Sequence, residues 1–404
     1  MVFHPNVIII LLSAIVILSY LFSMLSKAFN IPSVLLLIGV GIAIKYLGRY
    51  YGYVEQDVDK LVKILGAIGL IMIVLEAALD LTINRSKLKL ISNSFFSALC
   101  IFLVSMYSIS WMIHTWLNVP IQQCLLYAIP MSIISSAIVI PSTEHLPEQK
   151  KEFIVYESSF SDVIGIMTFN YIALNDVLTA QTTFHFIGNI ALAIIISAVA
   201  SILMTYILSK IAVNLKFFLV FAILSLIYAL GDSIHLPSLL IVLVFGLLLN
   251  NSKSIFIGKF RRLIAYDNMD NILMMMRSIT AETSFLIRTF FFILFGYTID
   301  LPSLILPSVW ELGTVIVLLL LAVRFIYLRL ILKANLFPEL FLMPRGLVTI
   351  LLFYSIPASR QLQGFNKGVL FFVVTLTSLI MMMGLLFFRK DKTLGADVES
   401  AEAG

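Results

Sequence analysis

The sequence predicts an all-α polytopic membrane protein with about thirteen transmembrane helices. Three observations point there. Of its 404 residues 61% are hydrophobic and only 12% are charged, with a mean hydropathy of +1.05, whereas soluble domains carry roughly 25% charged residues. The apolar residues gather into runs of about 20, the length that crosses a bilayer. Two consecutive runs recur later in the chain at an odd offset, so the copies enter the membrane from opposite sides.

In order, the spans fall at about 6–26, 31–48, 61–81, 91–113, 121–141, 153–174, 184–209, 214–231, 236–250, 280–300, 311–332, 340–357 and 367–388. The eighth and ninth are short and meet at "GDSIHLPS". Ser254 to Ser278 alternates between charged and apolar residues and is expected to lie along the membrane surface. The N-terminus "MVFHPNVIII" has neither a basic leader region nor a small-residue cleavage site, so the first helix is expected to be retained. The tail "RKDKTLGADVESAEAG", residues 389–404, is expected to be short, cytoplasmic and disordered.

Loop charge orients the chain. Arg85, Lys87, Lys89, Lys150, Lys151, Lys210, Lys216, Arg261, Arg262, Lys333, Arg389, Lys390 and Lys392 follow odd-numbered spans, while Asp176, Asp232 and Asp300 follow even-numbered ones. The positive-inside rule then puts the N-terminus outside and the C-terminus in the cytoplasm. The net charge of +5 is spread over these loops, with no dense basic cluster interleaved with aromatics, which argues against a nucleic-acid partner. Cys100 and Cys124 lie in or beside apolar segments and suggest no disulfide framework.

Span two opens "NIPSVLLLIGVGI" and span nine "HLPSLLIVLVFGL"; span three closes "LIMIVLEAALDL" and span ten "FFFILFGYTIDL", with Asp80 and Asp300 in matching places. An inverted-topology repeat of this kind is a common construction of secondary transporters. It divides the membrane domain, 1–388, into repeat one (about 6–174), a linker helix (about 184–209) and repeat two (about 214–388). Span five then corresponds to span twelve. The first holds Pro130 and Pro141 around Ser135 and Ser136, and the second holds Pro344 and Gly346, so both are expected to be broken helices. Unwound backbone at membrane depth survives only where it is buried in protein or lines a cavity, and its freed carbonyls can coordinate a cation.

Span six, "IVYESSFSDVIGIMTF", carries an acid near its midpoint, Asp162, and a second, Glu157, about 7.5 Å nearer the cytoplasm. A charge at that depth costs at least about 2.5–3.5 kcal/mol. Span eleven carries Arg324 at a depth that allows it to pair with Glu157 and leave Asp162 without a fixed counter-ion; pairing of Arg324 with Asp162 itself is the structural alternative. A carboxylate without a counter-ion in that setting can hold a proton or a dehydrated monovalent cation but not both, which is enough to drive exchange when the site faces each side in turn. Ser161 could donate to that carboxylate or ligate the ion. Arg288, halfway into span ten, needs a partner the sequence does not name. The five histidines sit near span ends without metal-ligand or haem spacing, and no cofactor is expected.

"ESSFSD", Glu157 to Asp162, resembles the Glu-Ser-Leu-x-Asn-Asp motif of NhaP-like sodium/proton antiporters. "RFIYL" from Arg324 is similar to that family's Arg-containing eleventh helix, "PRGLVT" (Pro344 to Thr349) to its broken twelfth helix, and "FGYTID" to a tenth-helix ending common in the wider monovalent cation/proton antiporter superfamily. The resemblance implies thirteen helices, a core around crossed broken helices 5 and 12, a dimerisation domain, and a homodimer that exchanges a cation for H⁺ in the inner membrane of a prokaryote, in the service of pH homeostasis. It implies that Asp162 binds the ion or the proton, with Ser161, Ser135 and Ser136 beside it, and that Glu157 and Arg324 form a structural pair. Ser161 stands where the family usually has Asn or Asp. "SSAI", Ser135 to Ile138, replaces the family's Thr-Asp-Pro and is closer to Kef-like potassium-efflux proteins, so a K⁺/H⁺ antiporter is the alternative. The absence of a nucleotide-binding domain after the last helix weighs against the Kef-like type.

Two other classes fit less well. A channel would need a carbonyl filter or an acidic ring. An intramembrane enzyme would need a nucleophile motif such as Gly-x-Ser-x-Gly or a second acid at midplane depth, and no such pattern is present. The chain is therefore not expected to be an enzyme.

Overall fold

The computed structural model describes residues 5–29, 32–51, 59–81, 85–143, 146–175, 179–210, 216–234, 236–252, 269–333 and 336–402. Among these the secondary structure is helical throughout, as a chain that must satisfy every backbone group within lipid requires. The long helices are α1 (Pro5–Phe29), α2 (Ser33–Tyr50), α3 (Asp59–Asp80) and α4 (Leu88–Leu117). Span five is two half-helices, α5 (Ile121–Ser132) and α6 (Ser136–Ser142). There follow α7 (Glu148–Leu174), α8 (Ala180–Lys210), α9 (Lys216–Ser233), α10 (Ser238–Asn250), α11 (Met269–Thr298), α12 (Pro307–Ile326), α13 (Leu347–Tyr354) and α14 (Gly368–Glu402). Among the described residues, seven segments, α5 with α6 counted as one, are long and apolar enough by themselves to cross a membrane. Neither α7 nor α13 is among them, because the stretch of α7 from Glu148 to Asp162 is rich in charged residues and α13 spans only 8 residues.

The segments whose sequences recur pack against one another: helix α2 lies against α11, and α10 lies against α3. Gly41 and Gly246, equally far beyond the proline of their Pro-Ser pairs, sit at these two crossings. A Cβ on Gly41 would fall 2.0 Å from the Ile293 carbonyl oxygen, and one on Gly296 would fall 2.2 Å from that of Ile38. A Cβ on Gly246 would come within 2.6 Å of the Ala78 methyl. Small residues let the backbones approach closely, which is how helices associate where lipid offers no hydrophobic drive.

Span twelve is interrupted, as its proline and glycine predict: residues 337–341 turn, and Leu342 to Gly346 run without regular structure until α13 begins at Leu347. Pro344 lacks an N–H and steers Met343 away from helical geometry, and Gly346 adds a poor helix former. Two other segments differ from the sequence expectation. Of the segment expected on the membrane surface, residues 253–268 lie outside those described, while Met269 to Ser278 form the first turns of α11. The tail expected to be disordered continues α14 to Glu402; Leu, Ala, Lys and Glu are good helix formers, and extending a nucleated helix is favourable.

Substituting Gly41 by Ala should lower stability by about 1–3 kcal/mol, as overpacking does, because the new methyl meets backbone that cannot rotate away. Thermal melting of the detergent-solubilised protein measures it, and an unchanged melt would mean that the α2–α11 spacing is not set by this glycine.

Candidate functional site

Helix α5 stops at Ser132 and α6 begins at Ser136, with Ile133 and Ser135 extended between them. The break falls between the two prolines; Pro130 and Pro141 lie inside the half-helices. The unwound stretch of span twelve crosses it, and the Ser135 N–H donates to the Pro344 carbonyl at 2.9 Å. Gly346 permits this approach, since a Cβ there would stand 2.5 Å from Ser135 Oγ and 2.7 Å from Ile138 Cδ1.

The backbone groups left over find side chains. The Ile134 N–H donates to Ser161 Oγ at 3.0 Å. At the C-terminal end of α5, whose carbonyls carry partial negative charge, the guanidinium of Arg345 donates from Nε to the Met131 carbonyl at 2.8 Å and from Nη2 to that of Ser132 at 3.5 Å. Its Nη1 donates to the Met343 carbonyl, within the other broken segment. The Arg345 N–H donates to Thr377 Oγ1 on α14 at 3.1 Å. At the opposite pole, the N-terminus of α6 meets a carboxylate: Ser136 N–H donates to Asp162 Oδ2 at 3.2 Å, and Ser136 Oγ donates to the same oxygen.

Both acids of α7 are buried, Glu157 with 1% exposure and Asp162 with 2%, but their surroundings differ. Arg324 holds Glu157 through two bonds, Nη2 to Oε2 at 2.7 Å and Nη1 to Oε1 at 3.2 Å, and Ser97 Oγ donates to Oε1 at 2.6 Å. Arg324 Nε also donates, to the Glu339 carbonyl at 2.7 Å, and the Glu339 side chain is held by Lys150. Each of the three Arg324 nitrogens is thus bonded away from Asp162. Asp162 Oδ1, Ser135 Oγ and Thr349 Oγ1 are buried with no hydrogen-bond partner among the described residues. Unsatisfied oxygens are costly at this depth unless something else visits them.

Arg288, for which the sequence names no partner, donates from Nη1 to the Ala137 carbonyl at 3.2 Å and lies 3.6 Å from Glu76 Oε1. Arg288 and Glu76 line a cavity of about 620 Å³ together with Glu148, Lys151, Glu152 and Glu282. In the sequence Arg345 stands only within the motif "PRGLVT", and Glu76, near the end of span three, carries no assigned role. An arginine between Pro and Gly in an apolar run was the available signal for the first.

Two broken spans that cross within an all-helical membrane bundle, with a buried carboxylate beside the crossing, fit the membrane domain of an ion-coupled secondary transporter. The chain belongs to the sodium/hydrogen exchanger family: the family model described as "Sodium/hydrogen exchanger, transmembrane" matches residues 10–389. Its fold is similar to the structure of the sodium proton antiporter MjNhaP1 from Methanocaldococcus jannaschii at pH 8, with a TM-score of 0.72 over 95% of this chain and 99% of that one at 19% identity. An electron-microscopy structure of the same antiporter gives a TM-score of 0.69 over 95% of each chain at 18% identity. No curated protein sequence matches.

Removing one half of the Glu157–Arg324 pair strands the other charge. Arg324→Ala or Glu157→Gln should cost about 3–5 kcal/mol of stability. Chemical or thermal unfolding in detergent measures this, and a variant that melts like the parent would show that the pair does not hold α7 to α12.

Proposed function

We propose that this chain exchanges a monovalent cation, Na⁺ first and Li⁺ or K⁺ as further candidates, for H⁺ by alternating access, with proton and cation competing for Asp162. The observation that carries this reading is the contrast between the two acids of α7. Glu157 is neutralised by Arg324, whereas Asp162 bonds Ser136 and, among the described residues, keeps one buried oxygen without a hydrogen-bond partner. A lone carboxylate at that depth needs a positive companion, and a proton or a dehydrated cation supplies it.

The ligand set lies around the crossing. Ser136 shares Asp162, Ser135 brings a second oxygen without a partner, and Ser161 holds the Ile134 N–H and with it the shape of the break. Pro130, Pro141, Pro344 and Gly346 shape the two broken spans, while Glu157 with Arg324 is the structural pair. The N-terminus lies outside and the C-terminus in the cytoplasm of a prokaryotic inner membrane, with repeats of about 6–174 and 214–388 joined by the linker helix 184–209. On that orientation the 620 Å³ cavity, on the side of Lys150 and Lys151, opens to the cytoplasm. The protein works as a homodimer, as the resemblance implies.

In everted vesicles, adding Na⁺, Li⁺ or K⁺ should collapse an imposed pH gradient, and Asp162→Asn should abolish that response while the protein melts like the parent. Normal exchange by Asp162→Asn would remove the assignment. With one titrating acid per site, one proton leaves for each cation bound, so exchange in proteoliposomes should not depend on membrane potential. A potential-dependent rate would require a second charge on the cycle.

A further inference from the structure

Helix α6 carries Pro141, which has no N–H, so Ala137 four residues earlier loses the donor that would close its helical bond. A carbonyl orphaned in this way at membrane depth needs another partner. Arg288 of α11 supplies one, its Nη1 donating to Ala137 O at 3.2 Å. The same guanidinium leans toward Glu76 of α3, Nη2 to Oε1 at 3.6 Å. Arg288 and Glu76, with side-chain exposures of 14% and 15%, both line the 620 Å³ cavity, as do Ile140 and Pro141, while Ser136 and Asp162 do not. Ala137 is the neighbour of Ser136, which holds Asp162 from both its N–H and its hydroxyl. Contacts and the chain link the cavity, Arg288, the Ala137 carbonyl, Ser136 and Asp162 in that sequence.

A carbonyl freed from its helix is the kind of oxygen that strips water from a cation. Here a tethered cation already occupies it. We propose that Arg288 is a built-in competitor for the entering monovalent cation: its guanidinium sits on the Ala137 oxygen, which is a relay ligand between the cavity and Asp162, and Glu76 is the seat to which it withdraws when the ion passes. Glu76 and Arg288 are therefore specificity- and affinity-determining residues of the access path, distinct from the carboxylate that carries the exchange. The long contact with Glu76 and the direct bond to Ala137 place the arginine in its blocking position, with the second seat within a small side-chain movement. This inference rests on the reading of Asp162 as the exchanging acid.

The two members of the pair should move apparent cation affinity in opposite directions. Arg288→Gln removes the competing charge and should lower the KM for Na⁺ several-fold. Glu76→Gln removes the alternative seat, holds Arg288 on Ala137 and should raise KM several-fold. The double variant should resemble Arg288→Gln, because a seat without an occupant does nothing. Arg288→Lys, which keeps the charge, should leave the KM for Na⁺ within about twofold of the parent, and if the glutamine variant fails to fold, a several-fold fall in KM for Arg288→Lys overturns the proposal. The measurement is Na⁺-dependent proton movement in proteoliposomes, with KM and maximal rate separated and Asp162→Asn run alongside. If Arg288→Gln and Glu76→Gln shift KM in the same direction, or only lower the melting temperature and maximal rate together, the pair is structural and the proposal fails. If Asp162→Asn keeps exchanging, the failure lies in the reading of the carboxylate.

Discussion

Arg324 can neutralise one carboxylate, and it gives both nitrogens of its fork to Glu157. The two acids of α7 lie five residues apart at similar burial, so only this allocation makes them unlike. Bidentate pairing in a site closed to water is strong and geometrically exacting, and Ser97 and the Glu339 carbonyl add a further hydrogen bond on either side. Were Arg324 to turn toward Asp162, Glu157 would be left charged in lipid and α7 would lose its tie to α12. The same allocation that fastens the bundle leaves Asp162 with a carboxylate oxygen and no partner for it.

The broken helices obey a related constraint. Each interruption releases carbonyls and N–H groups that lipid cannot satisfy, and nearly every side chain near the crossing answers one of them. Arg345 covers the carbonyl end of α5, Ser161 takes the Ile134 N–H, Ser135 and Pro344 join the two broken segments, and Arg288 takes the carbonyl that Pro141 releases. The Asp162 carboxylate meets the N-terminal end of α6, where the helix dipole and the Ser136 N–H favour an anion. Polar chemistry is concentrated where the backbone is irregular, and that concentration makes an ion site possible there.

Much of this is legible in sequence because lipid makes charge conspicuous. Asp162, Glu157 and Arg324 stand out as ionisable residues inside apolar runs, and a rise of about 1.5 Å per residue is enough to compare their depths. The repeat is legible because its Pro-Ser starts and terminal acids recur, and the glycines at its crossings follow at equal spacing. What stays hidden is where a freed carbonyl points. Prolines at 130 and 141 signal an interruption, yet the break lies between them, because each proline is tolerated inside a half-helix while Ile133 to Ser135 unwind against the other span. The partners of Arg345 and Arg288 are backbone oxygens exposed only by those breaks and brought near by tertiary packing, so no linear pattern names them. The interruption of span twelve is legible from Pro344 and Gly346, while the length of the irregular stretch, residues 337–346, is not, since its apolar composition reads as helix.

Competition at one carboxylate is the central claim, and counting protons tests it most directly. When Na⁺ is added to the purified protein in weakly buffered detergent solution, near the pH at which the site is half protonated, binding should release protons into the medium, and the release should vanish in Asp162→Asn. Cation binding by the parent protein with no proton released at any pH would contradict the account.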